Sequence, residues 1–162
     1  MKTLYLLRHA KSSWKDSSLA DDQRPLSKRG NKNAPQMGDY LARRGVSLDR
    51  VISSPATRAL TTARLVVSAL DYDLDAIVHE PRLYFRGSQI MLDVLRETDD
   101  AIASLMMVGH NPDMTSFVNS LCGYQTDNVP TCGLTTIEFD GRWSEVDTGD
   151  GRLQDYKIPR EL

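Results

Sequence analysis

Four short apolar runs, each followed by residues at helical spacing, constrain this chain more than anything else in it. They fall at residues 1–7, 49–53, 76–78 and 104–109. Leu4, Tyr5, Leu6 and Leu7 leave the first nearly free of polar positions, and Leu105, Met106, Met107 and Val108 do the same for the fourth. Strands apolar at every position are covered on both faces, as in parallel sheets sandwiched between helices. Helices are predicted at 27–44, 54–70, 87–97 and 112–121. Ser27 is the N-cap candidate of the first and Gly45 its stop, while Pro35 should kink or break it. Two later strands, 134–139 and 153–158, alternate better and lie among turn glycines. The 162 residues contain no repeat, low-complexity tract or interdomain linker. The expectation is one α/β domain over 1–162, a three-layer α/β/α sandwich on a mainly parallel sheet.

Charge and composition exclude several function classes. A formal net charge of −2 argues against nonspecific nucleic-acid binding, which needs a basic face, but leaves room for a local cationic pocket. No run nears the ~20 apolar residues of a membrane helix, and the first is too short for a signal-peptide core. The chain therefore reads as cytoplasmic, with neither nucleic acid nor membrane as a partner. Cys122 and Cys132 cannot make a disulfide framework and read as small buried side chains. No Walker loop, HExxH, GxSxG or GxGxxG occurs. The histidines and carboxylates lack ligand spacing, so no metal or cofactor is expected, and a chelator should leave activity unchanged.

In open α/β sheets, ligands bind beyond the carboxyl ends of the strands. Arg8-His9 ends the first strand, Ser53-Ser54 the second and Gly109-His110-Asn111 the fourth, so three distant polar clusters should meet on one edge. Taken alone, His9 is equally a core histidine satisfied by backbone groups. A neutral imidazole can nevertheless attack phosphorus if one nitrogen is free and the other is held as a donor, for instance to a carbonyl. His110 repeats the arrangement, with the helix after it offering free amides and a positive dipole end to an anion. Arg58 falls in the first helical turn after Ser54-Pro55, facing the same edge. Its guanidinium suits phosphate oxygens, and with Arg8 it would neutralise charge growing on a transferring phosphoryl group. His79, the third histidine, is expected to be structural or exposed.

Taken together, LLRHA at 6–10, RPLSKRG at 24–30, SSPATRALTTA at 53–63 and VGHNP at 108–112 resemble the histidine phosphatase (phosphoglycerate mutase-like) superfamily. The short length, AKSSW at 10–14 and the closing Pro159-Arg160 are most similar to its SixA-type phosphohistidine phosphatases. The resemblance implies a phosphoglycerate mutase-like fold without a large cap domain. It also implies that His9 takes the phosphoryl group as a phosphohistidine intermediate, which water then hydrolyses. Arg8, Arg58 and His110 would complete the phosphate pocket, and Ser12 is a further phosphate-contact candidate. Ala10 stands where many relatives have glycine. Tyr84 stands where many have a glutamate that protonates an alcohol leaving group, and Glu80 is near but wrongly spaced. General acid help is commonly worth ~100- to 10,000-fold, so its absence penalises esters more than protonated phosphohistidine, which expels neutral imidazole. The expected partner is a phosphohistidine-bearing protein. Alternatives are a phosphomonoesterase acting on small phosphorylated substrates or phosphoserine, and a binding module without turnover.

Overall fold

Alternation along two strands divides the interior in two. The computed structural model describes residues 1–162, with strands β1 (Lys2–Arg8), β2 (Arg50–Ser53), β3 (Val78–His79), β4 (Ser104–Gly109), β5 (Leu134–Phe139) and β6 (Arg152–Lys157). Leu4 and Leu6 of β1 and Leu105 and Met107 of β4 face one cluster of buried side chains; Leu7, Met106 and Val108 face the other. The first cluster is closed by α3 (Ser88–Arg96) and α4 (Asp113–Cys122), the second by α1 (Lys28–Arg43) and α2 (Thr57–Val67). Burying each large aliphatic side chain contributes about 1.5–3 kcal/mol. The result is the expected three-layer sandwich.

The sheet order is β3-β2-β4-β1-β5-β6. The first four strands are parallel, and β5 and β6 return antiparallel. Arg8 pairs with Gly109, and Ser53 with Val108, so the strand ends carrying Arg8-His9, Ser53-Ser54 and His110 lie side by side. Ser27 caps α1, its Oγ accepting from the Gly30 amide at 3.2 Å. The same end of α1 is fastened to the loop after β1, because the Ser27 amide donates to the Lys11 carbonyl at 2.8 Å. A Cβ on Gly30 would lie 2.2 Å from that carbonyl oxygen, which is why the contact needs glycine.

Several boundaries differ from expectation, each for a local reason. The helix α1 continues through Pro35 without a break. The second helix begins at Thr57, not at Ser54, because Ser54 still extends the sheet by donating its amide to Val108 and Ala56 is extended. It ends at Val67 and gives way to a 3-10 turn over Ser68–Leu70. Residues 74–76 form a 3-10 turn capped by Asp73, leaving Val78 and His79 as an exposed two-residue edge strand. Cys132 is buried and Cys122 half-buried, and both are free thiols. No helix is long and apolar enough to cross a membrane.

Candidate active site

The His9 backbone is clamped from both sides. Its amide donates to the Gly109 carbonyl at 3.0 Å, and its carbonyl accepts from the Cys132 amide at 3.0 Å. The next residue, Ala10, donates its amide to Thr62 Oγ1 at 2.9 Å, and that hydroxyl donates to the Arg58 carbonyl at 2.7 Å. This chain of bonds ties the end of β1 to the first turns of α2.

The imidazole of His9 is buried, with Nδ1 2.7 Å from the Ala10 carbonyl oxygen. A carbonyl can only accept, so Nδ1 carries the proton and Nε2 presents its lone pair. Burial first, then the Arg58, Arg8 and Arg24 charges, push the His9 pKa down to about 4 against the Ala10 bond. The ring of His110 lies 5.1 Å from that of His9. Burial, the neighbouring His9 and Arg58 lower its pKa to about 3. His110 Nε2 meets Ser54 Oγ at 2.8 Å, while its Nδ1 has no partner. Arg8 Nη1 donates to the Val129 carbonyl at 2.9 Å, and its Nε is likewise unpartnered. Buried polar atoms rarely go unsatisfied, and of three such side-chain atoms in the molecule two belong to Arg8 and His110.

Arg8, His9, Ser12 and Arg58 line one cavity of about 260 Å³. His110 stands behind it, its ring 4.7 Å from Phe85 and 5.3 Å from Tyr84. Phe85 has a φ of 56°, a strained value for an aromatic residue that persists only where surroundings enforce it. Sequence reasoning left several participants out. Arg24 belongs to the quoted RPLSKRG segment, with no role of its own attached to it there. It is buried, with Nη2 donating to Ser12 Oγ at 2.5 Å, Nε to the Ser13 carbonyl at 3.2 Å, and its Cζ 3.3 Å above the Trp14 ring. The Ser12 hydroxyl thus holds Arg24 while lining the cavity.

Asp21, on a 3-10 turn over Asp21–Gln23, is the one carboxylate in the cavity wall. Arg58 Nη1 donates to its carbonyl at 2.6 Å and Nη2 to Oδ2 at 2.9 Å; Arg24 Nη1 reaches Oδ1 at 3.1 Å, and the Tyr84 hydroxyl donates to Oδ2 at 2.5 Å. No sequence signal marked Asp21, which sits in a loop without periodicity. Glu80 is elsewhere, caging the Arg82 guanidinium together with Glu97. The expectation of free amides at the start of α4 is corrected. The Thr115 amide bonds the Asn111 side chain at 3.1 Å, and the Met114 amide bonds the His110 carbonyl at 2.8 Å. The cations in the cavity wall are the guanidinium groups of Arg8, Arg24 and Arg58 and the ammonium of Lys11.

Two pH dependences follow. The unfolded histidines titrate near ~6.5, so between about pH 6.5 and 4 the unfolded state binds more protons and stability should fall as pH drops. If Nε2 of His9 is the attacking atom, the acid limb of kcat/KM should lie near the His9 value of about 4. A limb near 6.5 in the pH–rate profile would contradict that geometry. Asp21 behaves differently. The Tyr84 hydroxyl, then Arg58 and Arg24, hold its carboxyl far below the usual range, against partial desolvation. Its stabilising effect is complete above its unfolded pKa of about 3.9 and is lost as pH falls through the folded value. Asp21→Asn should therefore flatten the dependence of Tm on pH below about pH 4.

A family profile described as the histidine phosphatase superfamily (branch 1) matches residues 4–84. An uncharacterized protein of Mycobacterium tuberculosis is 29% identical over 164 residues, covering 95% of this chain and 100% of the relative. The phosphohistidine phosphatase SixA of Escherichia coli is 27% identical over 140 residues, 85% of each chain. The solved structure of protein histidine phosphatase SixA complexed with tungstate superposes with a TM-score of 0.84 at 22% identity, covering 98% of both chains. The order of strands, the cavity at their carboxyl ends and the family profile agree: this chain belongs to the histidine phosphatase superfamily and is a phosphatase of it.

Proposed function

We propose that the protein removes the phosphoryl group from phosphohistidine carried on another protein, through a phosphohistidine of its own at His9. The observation that carries the reading is the His9 ring, fixed by the Ala10 carbonyl with its bare Nε2 in a cavity walled by Arg8, Arg24 and Arg58. Nε2 of His9 attacks phosphorus, forming an N–P bond as the substrate's N–P bond breaks. The substrate imidazole, protonated on its other nitrogen, leaves as a neutral ring. Water then attacks phosphorus, the His9–phosphorus bond breaks, and inorganic phosphate departs. Arg8 and Arg58 stabilise the spread charge on the phosphoryl oxygens. His110, through its unpartnered Nδ1, is a further contact for the group.

The choice of a P–N over a P–O substrate rests on the leaving group. An alkoxide needs a proton, and the cavity offers poor donors. Asp21 is held ionised by Tyr84 and the two arginines, and Tyr84 is raised above an ordinary phenol by burial and by Asp21. Glu80 is committed to Arg82. The relative from Escherichia coli is named for phosphohistidine, which points the same way. The test is competitive hydrolysis by the purified protein of a phosphohistidine protein, a phosphoserine peptide and a sugar phosphate. The phosphohistidine protein should be fastest, and a faster ester would overturn the substrate reading.

A further inference from the structure

The cavity around His9 does not end at the phosphate pocket. Through Lys11 it adjoins a second cavity, of about 490 Å³, lined also by Lys15, Lys28 and Arg29 and by no carboxylate. Through Thr131 it adjoins a third, of about 390 Å³, which holds Arg29 and Arg160 and again no carboxylate. The second and third share Arg29, so the grooves ring one flank of the site. All five of these cations are exposed. None enters an ion pair, so each is free to meet an incoming anion. The chain's ion pairs use Arg24, Arg58, Arg82, Arg96, Arg142 and Arg152 instead.

Two of these cations are placed against local stability. Lys28 and Arg29 are the first two residues of the 16-residue α1, whose first turn holds no acidic residue. Cations there oppose the positive end of the helix dipole, where Asp or Glu would stabilise. A small phosphorylated molecule would fill the central cavity and leave both flanking grooves unused.

We infer that the Lys11–Lys15–Lys28–Arg29–Arg160 groove is a docking surface for an acidic polypeptide segment flanking the phosphorylated residue. The inference rests on the proposed action on a protein substrate and names the chemistry of that protein around its phosphate. A polypeptide is favoured over nucleic acid because the groove runs out of a pocket that would hold a histidine-borne phosphoryl group.

The experiment compares wild type with the Lys28→Glu/Arg29→Glu double variant on phosphohistidine peptides with acidic, neutral or basic flanks. Phosphoramidate serves as a small substrate, and phosphoserine peptides with the same flanks run in parallel. Wild type should favour the acid-flanked peptide over the neutral one in kcat/KM by roughly 3- to 30-fold, the scale of two exposed ion pairs, and high salt should erase the preference. The double variant should lose it, hydrolyse phosphoramidate at the wild-type rate, and melt higher than wild type because the helix dipole is now complemented. Equal rates on all flanks, or an equal loss on phosphoramidate and peptide, would overturn the docking surface. Should acid-flanked phosphoserine be preferred while phosphohistidine is not hydrolysed, the docking surface stands and the phosphohistidine reading falls. Competition by single-stranded DNA stronger than by an acidic peptide would overturn the polypeptide assignment.

Discussion

His9→Ala should lose turnover by on the order of 10⁶-fold, the scale seen when a covalent nucleophile is removed, and should still fold. The imidazole is the only group in the cavity with a bare nitrogen held in place by its own neighbour's carbonyl. In the proposed mechanism it is the atom on which the phosphoryl group rests between the two displacement steps. The stability side of the argument runs the other way. The ring's hydrogen bond to Ala10 contributes about 1 kcal/mol. Below about pH 6.5 the variant also escapes the cost of keeping neutral a ring whose charged form the site disfavours. Thermal melts of the two proteins should agree within a few degrees, and the backbone clamp to Gly109 and Cys132 survives the substitution. Brief incubation with radiolabelled phosphohistidine protein, followed by alkaline denaturation, should trap acid-labile phosphate on wild type and none on the variant. Label retained by the variant would move the nucleophile elsewhere.

Arg58→Ala should lower kcat/KM by about 10²- to 10³-fold, the cost of a lost transition-state donor. Its guanidinium is buried and both terminal nitrogens already point at the cavity wall, where Asp21 accepts from them. Removal does two things at once. It deletes a positive charge from the cavity wall, and it leaves Asp21 with Arg24 and Tyr84 as its remaining partners, closer to an uncompensated anion facing an anionic substrate. Arg58→Lys should recover little, since an ammonium cannot reproduce the two-pronged geometry. The two contributions separate in a cycle with Asp21→Asn. If part of the Arg58→Ala loss comes from the exposed carboxylate, the double variant should be faster than Arg58→Ala alone. Unchanged kinetics in Arg58→Ala would remove that residue from the site.

What the sequence disclosed followed from periodicity. Unbroken apolar runs located β1 and β4, and the rule about strand ends then put Arg8, His9 and His110 on one edge, where the register Arg8–Gly109 has them. Arg58 was reachable because it falls in the first helical turn expected after Ser54-Pro55. Asp21, Arg24, Trp14 and Phe85 were not. They arrive by loops whose path is set by bonds such as Ser27 to Lys11 and by a one-residue bridge of Ser12 to Leu26, and no period encodes such a path. The amides of α4 misled for a related reason: Asn111 could equally have left them free, and its side chain took one of them. Tyr84 was placed opposite the acid position of relatives by alignment alone. That it is spent on Asp21 needed coordinates.

The pairing of β1 with β4 also bears on how activity is acquired during folding. His9 and His110 are next in line after Arg8 and Gly109, which are partners across the two strands. A slip of one residue would turn the faces of β1 inside out and send Leu4 and Leu6 into the wrong layer. Because β1 lies between β4 and β5, it pairs with segments that emerge late from the ribosome, and closing such distant contacts is slow. Recovery of phosphatase activity after dilution from denaturant should therefore trail the recovery of helical signal, and report insertion of the central strand in its correct register.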